Sequence, residues 1–159
     1  MQLVFWFTSD EGAQQVVINQ QQVLFFIRQQ DIALATELLS KLPHVQIKPL
    51  ALRNFEEQPM AAVYFTSQQQ LYQARERLQQ HGINCLESDI RAPERYLCER
   101  FLTGPVEISG ASHDNTFINP RISASDYQPN LKVMSLDIET DYATDVLYSI
   151  AFVSNDSKQ

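Results

Sequence analysis

Asp137 and Glu139 stand two residues apart at the end of a β-rich run, Lys132-Val133-Met134-Ser135-Leu136-Asp137-Ile138-Glu139-Thr140. Side chains at i and i+2 of a strand leave the same face, so the two carboxylates can converge on one site. Left alone they repel. The arrangement becomes favourable when a hard cation such as Mg²⁺ is held by one or two carboxylates together with phosphate oxygens. A pair of such ions about 4 Å apart can activate a water and stabilise the leaving oxygen of a phosphodiester. The neighbours Val133, Met134, Leu136 and Ile138 are apolar, which sets the acids at the mouth of a buried strand. The same two residues also fit a solvated strand end with no ligand, and their spacing alone does not separate the two readings.

Other residues with chemical potential have plainer uses. Asp141 and Asp145 follow the pair and read as loop acids in solvent. Arg91, Arg95 and Arg100 could track phosphates, but Asp89, Glu94 and Glu99 interleave with them and favour an ion-paired helix face. His44, His81 and His113 lie beside a proline, at a helix end and in a turn, without ligand spacing. Trp6 could stack on bases, yet alternation puts Phe5 and Phe7 on one face with Trp6 on the other, a pattern that favours core packing. Cys85 and Cys98 form no CxxC pair and read as two half-buried thiols in a reducing compartment.

The elements that must position these residues can be read along the chain. Leu3 to Thr8 and Gln15 to Asn19 flank the turn Ser9-Asp10-Glu11-Gly12 as a hairpin. A third strand runs from Val23 to Arg28. Asp31 caps a helix with apolar residues at Ile32, Ala35, Leu38, Leu39 and Leu42, stopped by Pro43. Val45 to Leu52 and Ala61 to Thr66 are strands. Ser67 caps a helix whose buried side is Leu71, Ala74 and Leu78 and which ends at His81-Gly82. Ile83 to Leu86 returns as a strand. Pro93 opens a helix through Leu102 that Gly104-Pro105 ends. Val106 to Ser109 and Thr116 to Ile122 flank Ser112-His113-Asp114-Asn115 as a second hairpin, and Ser123 to Asn130 reads as a linker. Lys132 to Thr140 and Val146 to Val153 are two more strands, followed by a polar tail.

Length and composition bound the reading. At 159 residues one domain with one core is expected. With 44% apolar and 19% charged residues the chain reads as a soluble globular protein. No stretch approaches the roughly 20 apolar residues of a membrane span, and no export signal opens the chain, so a cytoplasmic location is expected. The net charge of −7 argues against a generic nucleic-acid binder but not against a nucleic-acid enzyme, which can use carboxylates to hold metal ions. The glutamine runs 20–22, 29–30 and 68–70 read as solvated surface.

Ser135-Leu136-Asp137-Ile138-Glu139-Thr140 resembles the first exonuclease motif, Asp-Ile-Glu-Thr, of the proofreading domain in family B DNA polymerases. Upstream, Ser88-Asp89-Ile90-Arg91-Ala92-Pro93-Glu94-Arg95-Tyr96-Leu97-Cys98-Glu99-Arg100-Phe101 is similar to the helix that precedes that domain. Asp126-Tyr127, Pro129 and, more loosely, Pro49-Leu50-Ala51-Leu52 extend the likeness to bacterial polymerases of the DNA polymerase II type. The resemblance implies an α+β, mixed but mostly antiparallel N-terminal domain over residues 1–128. Residues 129–159 would then be the first β-hairpin of a ribonuclease-H-like 3′→5′ exonuclease domain. It implies that Asp137 and Glu139 are catalytic metal ligands for Mg²⁺ or Mn²⁺ in the full-length enzyme, while the segment alone binds no ion and is inactive. DNA primer-template and deoxynucleoside triphosphates are the implied partners, with a sliding clamp reached through other regions and no membrane. Further exonuclease acids and the polymerase aspartates would lie beyond Gln159. A free-standing exonuclease of the same fold and a non-catalytic binding module are the rivals.

Overall fold

The computed structural model describes residues 1–128 and 133–154. It is an α+β structure, mostly antiparallel, and divides into two compact units, Met1–Tyr127 and Gln128–Gln159. Among the described residues no helix is long and apolar enough to cross a membrane.

The first unit carries two apolar cores where its length alone suggests one. One is built from β3 (Val23–Arg28), α1 (Ile32–Leu39), β4 (Gln46–Arg53), β5 (Pro59–Phe65) and α2 (Gln68–Gln80). The sheet order is β3-β5-β4, all antiparallel, which puts β5 in the centre. Met60, Ala61, Ala62 and Val63 are buried in succession rather than alternately, so both faces of this central strand are covered. Phe25, Ile27, Val63 and Phe65 meet Ala35 and Leu39 of α1 and Leu71, Ala74 and Leu78 of α2 in one cluster. Burying each of the larger side chains stabilises the fold by about 1.5–3 kcal/mol.

Helix α2 starts as its sequence predicts. Ser67 is extended, and its hydroxyl accepts the Gln70 amide at 3.3 Å. The Gln70 side chain reaches back to the Thr66 amide and hydroxyl. Asp31 behaves differently from the expectation. A 3₁₀ turn over Gln29–Asp31 leads straight into α1, and the Asp31 carboxylate binds Arg28 Nε at 2.9 Å instead of capping an amide. Gln29 likewise leaves the solvated class, because its amide donates to the Leu50 and Met60 carbonyls, both at 3.1 Å. Ile83 to Leu86 is no strand. Only Leu86 pairs, as an isolated bridge to Phe26, while Ile83 and Cys85 fill the core.

The second core lies under β1 (Leu3–Ser9) and β2 (Gly12–Ile18), a hairpin with Leu3 paired to Ile18 and Ser9 to Gly12. Leu3, Phe5, Val16 and Ile18 pack with Tyr96 of α3 (Ala92–Cys98), alongside the half-buried Phe7. Trp6 is on the opposite face and 67% exposed, so it takes no part in the core.

The stretch after α3 corrects two expectations. The helix stops at Cys98, and Phe101 takes a left-handed conformation with φ 55°. Its amide donates to the Cys98 carbonyl and that of Leu102 to Leu97, which closes the helix ahead of Gly104-Pro105 as a Schellman turn. The expected hairpin around residue 113 is two nested pairs in separate sheets. β6 (Val106–Ser109) pairs with β9 (Arg121–Ala124), and β7 (Ser112–His113) pairs with β8 (Thr116–Ile118). Asp114 and Asn115, both at positive φ, make the tight turn of the inner pair. β8 also joins β2 in parallel, giving the order β1-β2-β8-β7. Ser123 and Ala124 therefore belong to a strand rather than a linker, and Tyr127 is tied to the β1–β2 turn by its hydroxyl, 2.6 Å from Asp10. Pro129 and Asn130 lie outside the described residues.

The second unit is the antiparallel pair β10 (Met134–Thr140) and β11 (Leu147–Ser154). Lys132 and the polar tail past Ser154 lie outside the described residues.

Candidate functional site

In β10 and β11 the register sets what shares a face. Asp137 is opposite Ala151 and Glu139 opposite Ser149, while Leu136 is opposite Phe152 and Ile138 opposite Ile150. The hairpin is thus two-sided. One face carries the two carboxylates among small side chains, about 7 Å apart along the strand, and the other carries Leu136, Ile138, Ile150 and Phe152. All four apolar side chains are more than half exposed, so the strand is not buried as its composition suggests.

The acid pair keeps open surroundings. Ala151 and Ser149 are too short to cover Asp137 and Glu139, and the Ser149 hydroxyl donates to Glu139 Oε2 at 3.4 Å. Two carboxylates on one strand face suit a hard divalent cation when further oxygen ligands join them. Among the described residues no group of three or more His, Cys, Asp and Glu side chains comes together.

Asp141, read from the sequence as a solvated loop acid, has a structural task. Its Oδ1 accepts the Ala143 and Thr144 amides at 2.8 Å each and the Thr144 hydroxyl at 2.9 Å, and its Oδ2 accepts the Tyr148 hydroxyl. These bonds, that from Tyr148 foremost, hold the carboxyl down at about 2. The partner Tyr148 falls in a bulge. Glu139 pairs with Ser149 but Thr140 pairs with Leu147, so Tyr148 is the additional residue. Sequence reasoning missed Tyr148 and Ser149, because their roles depend on cross-strand register and no local pattern marks it.

The arginines of α3 are occupied. Arg91 is paired with Glu94. Arg95, only 9% exposed, donates to the Glu87 carboxylate and carbonyl, each at 3.0 Å, and has Glu99 at 3.7 Å. Arg100 donates to the Tyr96 carbonyl and lies over the Tyr96 ring at 3.6 Å. No free phosphate track follows from them. His81 bonds the Arg77 carbonyl at its helix end, His113 sits against Asp114 in the turn, and His44 is exposed at positive φ. Of the two thiols, Cys85 is buried and Cys98 exposed.

Comparison with known proteins falls on the same architecture. A family model described as DNA polymerase II, insertion domain, matches residues 23–83, the stretch from the start of β3 to Ile83 that forms the first core. DNA polymerase II of Escherichia coli (strain K12) is 39% identical over 137 residues, which is 86% of this chain and 18% of that protein. The chain therefore spans less than a fifth of the length of that relative. One core matched by the DNA polymerase II insertion domain, together with 39% identity across most of this chain's length, carries the likeness well past a single acidic motif.

Proposed function

We propose that this chain is the amino-terminal part of a cytoplasmic DNA-directed DNA polymerase, and that Asp137 and Glu139 bind metal in its 3′→5′ proofreading exonuclease. The observation that carries the site is the pairing of two carboxylates on one strand face over Ala151 and Ser149, inside the segment Asp137-Ile138-Glu139-Thr140. In this reading residues 1–128 are the N-terminal domain, and residues 129–159 begin a ribonuclease-H-like exonuclease domain. The apolar face of Leu136, Ile138, Ile150 and Phe152 suits such a domain, since a strand pair of this kind must be covered to be stable. The full-length protein would take DNA primer-template and deoxynucleoside triphosphates, and a sliding clamp through other regions.

A divalent cation such as Mg²⁺ or Mn²⁺, when bound, supplies Lewis-acid stabilisation to a phosphodiester. The part of this chain's residues is narrower. Asp137 and Glu139 offer carboxylate oxygens from fixed strand positions, and Ala151 leaves the space above Asp137 open. Both acids need further ligands from outside the described residues, so the segment alone is expected to be inactive.

The test is the double variant Asp137→Ala, Glu139→Ala in the full-length protein. Degradation of single-stranded DNA from its 3′ end should fall roughly 10³-fold, equivalent to about 4 kcal/mol of transition-state stabilisation, while primer extension persists. Parental degradation by the double variant would remove the site. Loss of the nuclease in a protein with no primer extension would favour a free-standing exonuclease. Absence of both activities with tight DNA binding would favour a binding module.

A further inference from the structure

We propose that Ser149 is a positioning residue for Glu139: its hydroxyl holds one oxygen of the carboxylate and leaves the other to a divalent cation. The inference rests on the reading of Asp137 and Glu139 as metal ligands. Its grounds are geometric. Ser149 is directly opposite Glu139 on the same face of the β10–β11 pair, and its Oγ donates to Oε2 at 3.4 Å. That separation is longer than the roughly 2.5–3.0 Å usual for an O–H···O bond, so the bond is a weak one at an exposed position. Among the described residues no hydrogen bond reaches Oε1.

The placement of Ser149 is itself fixed by its surroundings. The bulge at Tyr148 shifts the register by one residue, and without it Ser149 would not pair with Glu139. Asp141 secures that bulge. Its carboxylate accepts from Tyr148, Thr144 and Ala143, and its amide donates to the Val146 carbonyl at 2.8 Å, so five hydrogen bonds from one residue tie the loop between the strands together. The same bonds commit Asp141 to the loop, three donors on Oδ1 and one on Oδ2, so its first task is structural. Of the acids from 137 to 141, two remain for a metal, and one of those is oriented by a neighbouring hydroxyl. A hydrogen bond of this sort restricts rotation of the ligating group and typically changes metal affinity or activity by about 10–100-fold when removed.

The experiment uses the full-length protein with Ser149→Ala and Ser149→Thr. Mn²⁺ binding is measured by electron paramagnetic resonance, with the Asp137→Ala, Glu139→Ala double variant subtracted as the baseline for sites elsewhere. The Mg²⁺ concentration giving half-maximal nuclease rate is measured beside it, and primer extension reports folding. Ser149→Ala should weaken Mn²⁺ at this site and raise the half-saturating Mg²⁺ by about tenfold, with the rate at saturating Mg²⁺ largely recovered. Ser149→Thr, which keeps the hydroxyl on a strand-compatible side chain, should stay close to the parent. Parental metal dependence in Ser149→Ala, or a loss in Ser149→Thr equal to that in Ser149→Ala, would overturn the positioning role while leaving the two ligands in place. A double variant that binds as much Mn²⁺ and degrades DNA as fast as the parent would overturn the ligand reading and this inference together.

Discussion

A guanidinium with nine-tenths of its surface buried must have its donors matched, and Arg95 has two from Glu87 and a more distant carboxylate in Glu99, with its charge over the Phe26 ring at 5.4 Å. Because Phe26 belongs to β3 and Tyr96 to the second core, this one side chain ties α3 to the first sheet. Lysine cannot reproduce the fork. Arg95→Lys should therefore destabilise the first unit by about 1.5–3 kcal/mol, the worth of hydrogen bonds to a charged group, as read by urea denaturation. Phe101 points the other way. It is 84% exposed and sits at φ 55°, a conformation that costs a side-chain-bearing residue roughly 1–2 kcal/mol. Phe101→Gly keeps the Schellman turn and should raise the denaturation midpoint by the equivalent of about 1 kcal/mol. The thiols should separate by reactivity. Desolvation pushes Cys85 up to about 11, against the opposing charge of Arg75, so it stays a protonated thiol at neutral pH. Iodoacetamide on the native protein should label Cys98 alone, with Cys85 reacting only after unfolding, and mass spectrometry of the peptides reads this directly.

At the scale of elements, α2 is the piece whose sequence and structure agree most closely. Leu71, Ala74 and Leu78 recur at helical spacing and are all fully buried, and Ser67 caps the first turn. Ser67→Ala should cost about 1 kcal/mol and Leu78→Ala about 2–5 kcal/mol, measured as shifts in denaturation midpoint. Such elements are legible because their signals are local: alternation in Leu3–Ser9, a short apolar run in Val23–Arg28, caps and stripes in α2. The misreadings share the opposite cause. The Thr116–Ile118 strand is claimed by β2, about a hundred residues away, with Gln15 opposite Thr116. Nothing near Thr116 announces that partner. Ile83 and Cys85 look like a strand because they are apolar, yet their burial comes from the core beneath β3 and β5 rather than from a ladder. The candidate site divides along the same line. Asp137 and Glu139 follow from period-two alternation, whereas Ser149 and Tyr148 follow from a bulge that only the paired strands define.

For the molecule as a whole, the two units differ in what they bury. The first encloses two cores, while the second is a hairpin whose Leu136, Ile138, Ile150 and Phe152 are more than half exposed. A two-stranded pair is marginal in water on its own. In the isolated 159-residue chain, amides of β10 and β11 should exchange with deuterium within seconds while those of β3 and β5 stay protected, and hydrogen-exchange mass spectrometry separates the two. Equal protection in both units would contradict this assignment of stability. The same imbalance bears on DNA. The net charge is −7, from 19 acidic against 12 basic side chains, and the arginines of α3 are engaged by Glu94, Glu87 and the Tyr96 carbonyl, so the chain as a whole repels a phosphate backbone and α3 offers it no free cationic track. Trp6, exposed on the outer face of β1, could contribute stacking, but stacking alone supplies about 1–3 kcal/mol per base. The isolated chain should therefore bind single-stranded DNA no more tightly than the roughly 10⁻⁴–10⁻⁶ M of non-specific complexes, and more weakly as salt rises. Fluorescence anisotropy across a salt series measures both. Tight binding at physiological salt, lost in Trp6→Ala, would show that the sheet face outweighs the charge and would move the DNA contact of this chain from the acid pair to β1.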